Sequence, residues 1–491
     1  MFDGILEQFG FHYTDYEDII KEGSESRLSD LDFIYLELQK WLNSDRRKMQ
    51  VIADKYYNYD NEPHKKHKVW GMDADGMPIT VDDTMPPMSD NIYALQVDKK
   101  VNYVVGKPIS YQVDNELYTK WLGQIIDRNF MTLLNNVTTD VYNSGISWVH
   151  PHFEDNGTLN FRMIPAIQIM PFWANDEHTK LDMAVRYYLR TVYEGRTEKL
   201  VQHVDVYTPQ GINKFIIQGG QLVENPYEPF LSYGLDREGN EYSWGRIPLV
   251  AFKYNSREIP LIKRGKELQD SINQVRAGWH RDMTADVDDK ILVVKNYGGE
   301  DIGDFKKKVI NYKAVNVADN GGIEVLSLQR NDSTYINYLG SAKKALVEAL
   351  RGFDAKDDRM SNNPNEMNLL TMYSDIDLDA DMLEAQYQYS LDQLLWFVDE
   401  YLKAAGAGDF SNEQVKFTFN RNMIVNEGDI INNVKNSVGL VSNETLLAHH
   451  PFVTDVQAEM KKLEEEQSKQ MEQMMAYQQV AGAGDSDDNE E

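Results

Sequence analysis

The 491-residue chain contains no cysteine. That absence excludes a disulfide framework, a thiolate metal site and a cysteine nucleophile, and it fits a protein made in a reducing cytosol. Long hydrophobic runs are missing too. No stretch approaches the roughly 18 uncharged apolar residues of a membrane-spanning helix, so no membrane contact is expected. The opening residues, MFDGILEQFGFHYTDYEDII, carry acids where a secretion signal needs bases, and no signal is expected. The phosphate-cradling G-x-x-x-x-G-K-[ST], the nucleophile elbow G-x-S-x-G and the zinc motif H-E-x-x-H are all lacking. There is no internal repeat.

Basic residues are in short supply. Lys and Arg number 50 against 79 Asp and Glu, a net charge of −29. A protein that grips DNA tightly covers phosphates with a basic surface. This chain should repel DNA over most of its surface and hold it, if at all, loosely or at a few points. The plainer reading is acidity that maintains solubility. Core material is plentiful: 42% of residues are hydrophobic and 11% aromatic. The length suits roughly three to four domain-sized units, or one elongated multi-part subunit.

Three constellations invite a chemical reading, and none makes a convincing enzyme. His64 and His67 form H-x-x-H in a Lys-rich segment with no carboxylate placed beside them, which favours a surface loop over a metal site. In DIDLDADML, Asp375, Asp377 and Asp379 occupy the first, third and fifth positions of a calcium loop. Ala380 stands where Gly is needed and Gln386 where Glu is needed, so an acidic helix N-terminus is expected instead. Asp282, Asp286, Asp288 and Asp289 could supply carboxylates to a two-metal site. A solvated acidic helix end is the plainer reading.

Periodicity predicts an α+β order. Residues 28–58 are expected to be helical, on Leu31, Ile34, Leu38, Trp41 and Leu42. Residues 60–90 read as a long surface loop or arm. Helices follow over 89–105, capped by Ser89 or Asp90, and over about 115–142. From Ser147 to about Val250, alternation predicts antiparallel strands with turns at EDNG, TPQG and QGGQ. A helix over 260–289 carries the stripe Leu268, Ile272, Val275, Trp279 and Met283. A small β insert then spans 290–329, and a helix from Asp332 to Phe353 carries Ile336, Leu339, Leu346 and Leu350. The polar, proline-broken stretch Gly352–Asn368 separates it from a long helix over about 375–405. A strand over 415–425 and helices up to 478 precede an acidic tail read as disordered.

Four segments in this order resemble the portal proteins of tailed bacteriophages, of the siphophage type, over about residues 89–466. They are VNYVVGKPISYQ (101–112), IPLIKRGKELQDSINQVRAGWHRDMTADVDDKILVVKNY (259–297), FTFNRNMIVNE, and GLVSNETLLAHHPFVTDVQAEMKKLEEE. Pro260, Leu261, Ile262, Asp270 and Asn273 fall where the family carries similar residues. In the last segment Ser442 caps a short helix and Pro451 ends it.

The resemblance implies an elongated α+β portal subunit with wing, helical stem, small β-containing clip and helical crown. Such subunits assemble as a ring of about twelve around a central channel. Residues 1–258 would be wing, 259–289 a stem helix, 290–330 the clip, 331–353 the second stem helix and 354–374 the tunnel loop. Residues 375–426 would be the long helix and a wing strand, 427–478 the crown and 479–491 the tail. The implied role is a channel at one capsid vertex of the virion, after assembly in the host cytoplasm, through which double-stranded DNA is packaged and ejected. The implied partners are the terminase large subunit, a head-completion adaptor, and major capsid and scaffold proteins. No catalysis, cofactor or metal is implied.

In the tunnel loop, Lys356 and Arg359 would touch phosphates intermittently. Asn362, Asn363 and Asn365 would offer neutral hydrogen-bonding groups, and Pro364 would keep the break from becoming helix. Relatives often carry a G-x-x-S-G type segment where this chain has SNNPNEMNLLTMYS. On the clip, Lys306, Lys307 and Lys308 form either a solubilising run or a docking patch for an acidic surface. Two alternatives stand beside this reading: a metal-dependent DNA-processing enzyme built on the cluster around Asp286, and a minor head or scaffold protein without a channel.

Overall fold

The computed structural model describes residues 29–60, 67–72, 78–83, 89–154, 156–235, 241–284, 291–295, 320, 322–326, 332–354, 366–421, 427–453 and 456–482. Helices α1 (Asp30–Asn43) and α2 (Asp45–Tyr57) occupy the region expected to be helical. Ser44 lies between them in an extended conformation, and its hydroxyl accepts from the Arg47 amide. A serine that caps a second helix breaks the first without disturbing the apolar spacing, so periodicity alone does not register it.

Part of the expected arm is a hairpin. Strands β1 (His67–Met72) and β2 (Pro78–Asp83) pair antiparallel, with Val69 opposite Val81 and Trp70 opposite Thr80. Helix α3 (Ile92–Val105) follows Asn91, whose side chain makes no capping bond. Neither Ser89 nor Asp90 is the cap. The Asp90 carboxylate is taken by Lys343 at 2.8 Å and Arg276 at 3.4 Å. After β3 (Ser110–Gln112), the predicted 115–142 helix is again two, because Asp127 starts a new one. These are α4 (Glu116–Ile125), capped by Asn115, and α5 (Arg128–Ser144), capped by Asp127. Gly145 closes α5 at φ 79°. A Cβ there would sit 2.2 Å from the Glu258 carbonyl oxygen, so both the backbone conformation and the close approach require glycine.

The β region is present as expected. Strands β4 (Ile146–Phe153), β5 (Leu159–Ile164), β6 (Ile169–Trp173), β7 (Leu181–Glu194), β8 (Thr197–Tyr207), β9 (Ile212–Gln218) and β10 (Gln221–Glu224) come first. Short strands β11 (Phe230–Leu231), β12 (Gly234–Leu235) and β13 (Glu241–Tyr242) precede β14 (Val250–Lys253). One sheet runs β10-β9-β8-β7-β6, with β11 also on β9, and a second runs β14-β4-β5. Helix α6 (Ile262–Thr284) leads to the paired strands β15 (Ile291–Lys295) and β16 (Gly322–Leu326), then to α7 (Asp332–Ala349).

The long helix α8 (Glu366–Ala404) has 39 residues and starts nine positions before its predicted start at 375, so the polar break is shorter than its composition suggested. Strand β17 (Lys416–Thr418) pairs with β3. Helices α9 (Glu427–Asn436), α10 (Asn443–Ala448) and α11 (Val456–Gly482) follow. Ser442 caps α10 as expected, accepting from Thr445. The last helix runs to Gly482, into the stretch read as disordered tail.

The main core forms around α5, where Leu134, Val137 and Val141 meet Trp148 of β4, Phe252 of β14 and Tyr387 of α8. A second core lies under α1, where Phe33, Ile34 and Leu38 cover Val185, Val204 and Val206 of the larger sheet. Alternation along β7 and β8 thus gives one face to α1, as a half-covered sheet demands.

Candidate functional site

The polar stretch between α7 and α8 has described residues on both sides, and both sides bind the same helix, α3. At the end of α7 the chain makes a Schellman turn: the Gly352 amide donates to the Val347 carbonyl at 2.8 Å and Arg351 to Glu348 at 2.9 Å. Arg351 holds the left-handed position at φ 48°, where glycine is the usual occupant. Gly352 comes next because it abuts Gln96, whose Oε1 lies 2.2 Å from where a Cβ would be.

Gln96, Lys99 and Lys100 of α3 then fasten this end. Gln96 accepts from the Phe353 amide at 3.1 Å and donates to its carbonyl at 3.2 Å. Lys99 Nζ donates to that same carbonyl at 2.7 Å, and Lys100 Nζ to the Arg351 carbonyl at 2.8 Å. The Phe353 ring stacks on Tyr373 at 4.4 Å, and Tyr373 stacks on Tyr103 at 5.8 Å. Phe353 lies at the start of the polar stretch and Tyr373 beyond its end, so an aromatic stack joins its two ends.

Charge completes the junction. Lys100 is fully buried and pairs with buried Asp379 at 2.8 Å. The other oxygen of Asp379 accepts from the Tyr254 hydroxyl at 2.6 Å, with Arg351 at 3.9 Å. Burial pulls the Lys100 ammonium below its ordinary range, and Asp379 opposes that pull. Two residues toward the helix start, Asp377 accepts from Tyr103 at 2.8 Å and also pairs with Arg421, which reaches Asp381 and Glu384 as well. Burial and the bond to Asp377 raise the Tyr103 hydroxyl well above the usual tyrosine range. Asp375, Asp377 and Asp379 therefore lie inside α8 rather than at an acidic helix N-terminus. At least two of them are structural partners of buried or half-buried groups.

The N-terminal end of α3 is tied to α6. Gln269 accepts from the Tyr93 amide at 3.0 Å, and Asn273 accepts from the Asp90 amide at 2.9 Å. Asp270 accepts from Tyr56 of α2 and from Lys266. Helices α6 and α7 pack through Gly265, where a Cβ would meet Leu346 at 2.7 Å and Leu350 at 2.9 Å. Trp279 stacks on Tyr335 at 6.1 Å, and Ser271 shares a hydrogen bond with Tyr338. The predicted stripe is therefore shifted. Ile272 is fully buried, but Leu268, Val275 and Trp279 are half-buried, and the buried face also includes Gly265, Gln269, Asn273 and Ala277. Buried polar side chains with assigned partners took positions that an apolar count assigns to leucine.

Lys356, Arg359, Asn362, Asn363 and Asn365 lie outside the described residues, as do Lys306, Lys307, Lys308, Asp286, Asp288, Asp289 and His64. Asp282 falls in α6, and His67 stands opposite Asp83 in the first hairpin. Among the described residues no group of three potential metal ligands occurs, and no helix is long and apolar enough to cross a membrane. Sequence reasoning missed Gln96 and Lys100, and it named Phe353 and Asp379 without the roles they have here. A signal was available: Lys100 shares a helix face with Val97, Val101 and Val104, and Asp379 neighbours Ile376 and Leu383. Opposite charges on two core faces invite pairing.

The sequence model described as "Phage portal protein, SPP1 Gp6-like" matches residues 40–473. The chain belongs to that portal family. The portal protein of Bacillus phage SPP1 is 26% identical over 492 residues, covering 98% of this portal chain and 95% of the relative. That of Clostridium phage phiCD119 is 24% identical over 437 residues, covering 85% and 93%. A solved HK97-family phage portal protein from Corynebacterium diphtheriae overlaps 66% of this chain and 91% of its own, at 12% identity and a TM-score of 0.33. The resemblance carried by the four sequence segments is thus shown at the level of family, and the chain is a phage portal protein with a mixed helix and strand fold.

Proposed function

We propose that this portal chain forms a ring around a central channel, through which double-stranded DNA is packaged into and ejected from the capsid. In this reading residues 1–258 form the wing, 259–289 and 331–353 the stem, 290–330 the clip, 354–374 the tunnel loop and 427–478 the crown. The terminase large subunit and then a head-completion adaptor dock on the clip, with Lys306, Lys307 and Lys308 facing an acidic partner. Lys356 and Arg359 touch DNA phosphates, with Asn362, Asn363 and Asn365 beside them.

The observation that carries the reading is the double attachment of α3. One end of this helix holds α6, and the other holds both flanks of the polar stretch. The described flanks of the polar stretch are held by five named contacts of neighbouring side chains and backbone, and two more tie the other end of the helix to α6. Such anchoring suits a segment that must meet a moving polymer without dislodging the subunit. The acidic surface fits as well, since a wall that bound phosphates at many points would raise the barrier to each step. Among the described residues no observation favours metal-dependent DNA processing or a scaffold role. Electron microscopy of the purified full-length protein at high concentration tests the reading: rings with a central bore are expected, and a protein that stays monomeric even with its capsid and scaffold partners present overturns it.

A further inference from the structure

The loop between β6 and β7, residues 174–180, forms one wall of a cavity of about 660 Å³. Arg246, Ile247 and Leu249 ahead of β14 form another, and Tyr389, Ser390 and Phe397 of α8 a third. The loop is folded back on Asn175. Its Oδ1 accepts from the Thr179 and Lys180 amides at 3.0 and 3.1 Å, and its carbonyl accepts from the His178 amide at 3.1 Å. Ties from this loop to other elements gather at residues 177–179. Lys253 Nζ donates to the His178 carbonyl at 2.8 Å and reaches that of Glu177 at 3.5 Å. Gln393 of α8 donates to the Thr179 carbonyl at 3.2 Å, and the His178 ring stacks on Trp173 at 4.9 Å.

Glu258 stands behind this anchoring. It is buried, and His178 Nδ1 lies 2.9 Å from its carboxylate. The same carboxylate takes Lys253 at 3.1 Å and Arg46 of α2. Both residues of the His178–Glu258 contact are strained. Their φ angles are 55° and 54°, in the left-handed region where a Cβ crowds the backbone. Among the described residues five non-glycine residues lie there, and these two touch each other. Such strain persists only while surrounding contacts hold it. At His178 it also turns the Thr179 and Lys180 amides back onto Asn175. Glu258 in turn belongs to the link from β14 into α6. Its amide donates to the Asn255 carbonyl at 3.0 Å, and Asn255 Oδ1 accepts from the Arg257 and Ile259 amides, each at 3.1 Å.

We propose that residues 174–180 are a strap latched by Glu258. While that carboxylate holds His178 and Lys253, the strap stays shut against the cavity and His178 stays left-handed. When the link into α6 shifts and draws Glu258 away, His178 relaxes, the Thr179 and Lys180 amides leave Asn175, and the strap lifts. The start of α6 and the cavity wall therefore change together. The device goes beyond the channel reading and does not depend on it.

Hydrogen–deuterium exchange of the full-length protein, read by mass spectrometry, tests the latch. His178→Ala removes the strap's end of the contact at a half-buried loop position. It should raise exchange over 174–180 by about tenfold or more, the size of one hydrogen bond to a charged group, while β7 and β8 remain protected. Glu258→Gln should do the same, and the double variant should open the strap no further than the faster single one, since both act at one latch. Should Glu258→Gln unfold, His178→Ala decides by itself. Unchanged exchange over 174–180 in His178→Ala overturns the latch, and so does a double variant whose effects add. Asn255→Gly lies outside the strap and tests the coupling. Faster exchange over 174–180 is expected there as well, and a strap that stays protected in Asn255→Gly overturns the link to α6.

Discussion

At the scale of single residues, the α3–α8 junction depends on one buried ion pair. Lys100 and Asp379 are both withdrawn from water, and each keeps a second partner, the Arg351 carbonyl and the Tyr254 hydroxyl. Removing one member leaves the other charge buried and uncompensated. Asp379→Ala is therefore expected to cost about 3–5 kcal/mol, read by urea denaturation of the purified protein. His178 offers a contrasting test. Its Nδ1 lies 2.9 Å from buried Glu258, which already pairs with Arg46 and Lys253. Burial first, then Lys253 and Arg46, lower the imidazole to about 4. A base held below its unfolded value favours the fold above that value and loses the advantage as pH falls. His178 is thus neutral in the native protein at pH 6, and its share of stability is expected to decline between about 6.5 and 4. Imidazole chemical shifts followed against pH check this, and a midpoint near 6.5 would contradict it.

Among whole elements, α6 and α7 approach each other through a glycine. Gly265 leaves room for Leu346 and Leu350, and a larger side chain must push the helices apart. Gly265→Val is expected to destabilise by about 1–3 kcal/mol through overpacking. A lowered thermal midpoint with helical content retained would support it, and an unchanged midpoint would mean the helices separate freely. The elements were legible where periodicity was strong and unbroken, as in α7, α8 and the strands of the larger sheet. They were less legible where a single polar residue acted locally. Ser44 and Asp127 each restarted a helix, and the hairpin of β1 and β2 was hidden by the Pro, Gly and charged residues around it. The buried face of α6 was misjudged because Gln269 and Asn273 find partners on α3 and on Asp90 just before it, which a count of apolar residues does not anticipate.

For the molecule as a whole, the expectations concern DNA and the docking partners. Lys356→Glu/Arg359→Glu rings are expected to assemble normally but to package DNA poorly, measured by DNase-protected DNA per particle. Full packaging would reduce the segment to a spacer. Replacing Lys306, Lys307 and Lys308 together with Ala is expected to weaken binding of the terminase large subunit while rings still form. Pull-down of that subunit by purified rings checks it, and unchanged binding would make the lysines a solubilising run.

The sequence by itself determined the family, because ordered segments survive as patterns of turn, cap and charge that do not depend on how the chain packs. It also determined the acidity, the lack of thiols and the alternation of helical and β regions, since these follow from residue type and spacing. Only the tertiary structure decided how the polar stretch is held. Gln96 and Lys100 are hundreds of positions away from Phe353 and Asp379 along the chain. Their bonds form only because α5 and the sheets bring α3 against α8. Long-range pairing of buried polar groups depends on that placement, and local spacing carries only the hint that each group needs a partner.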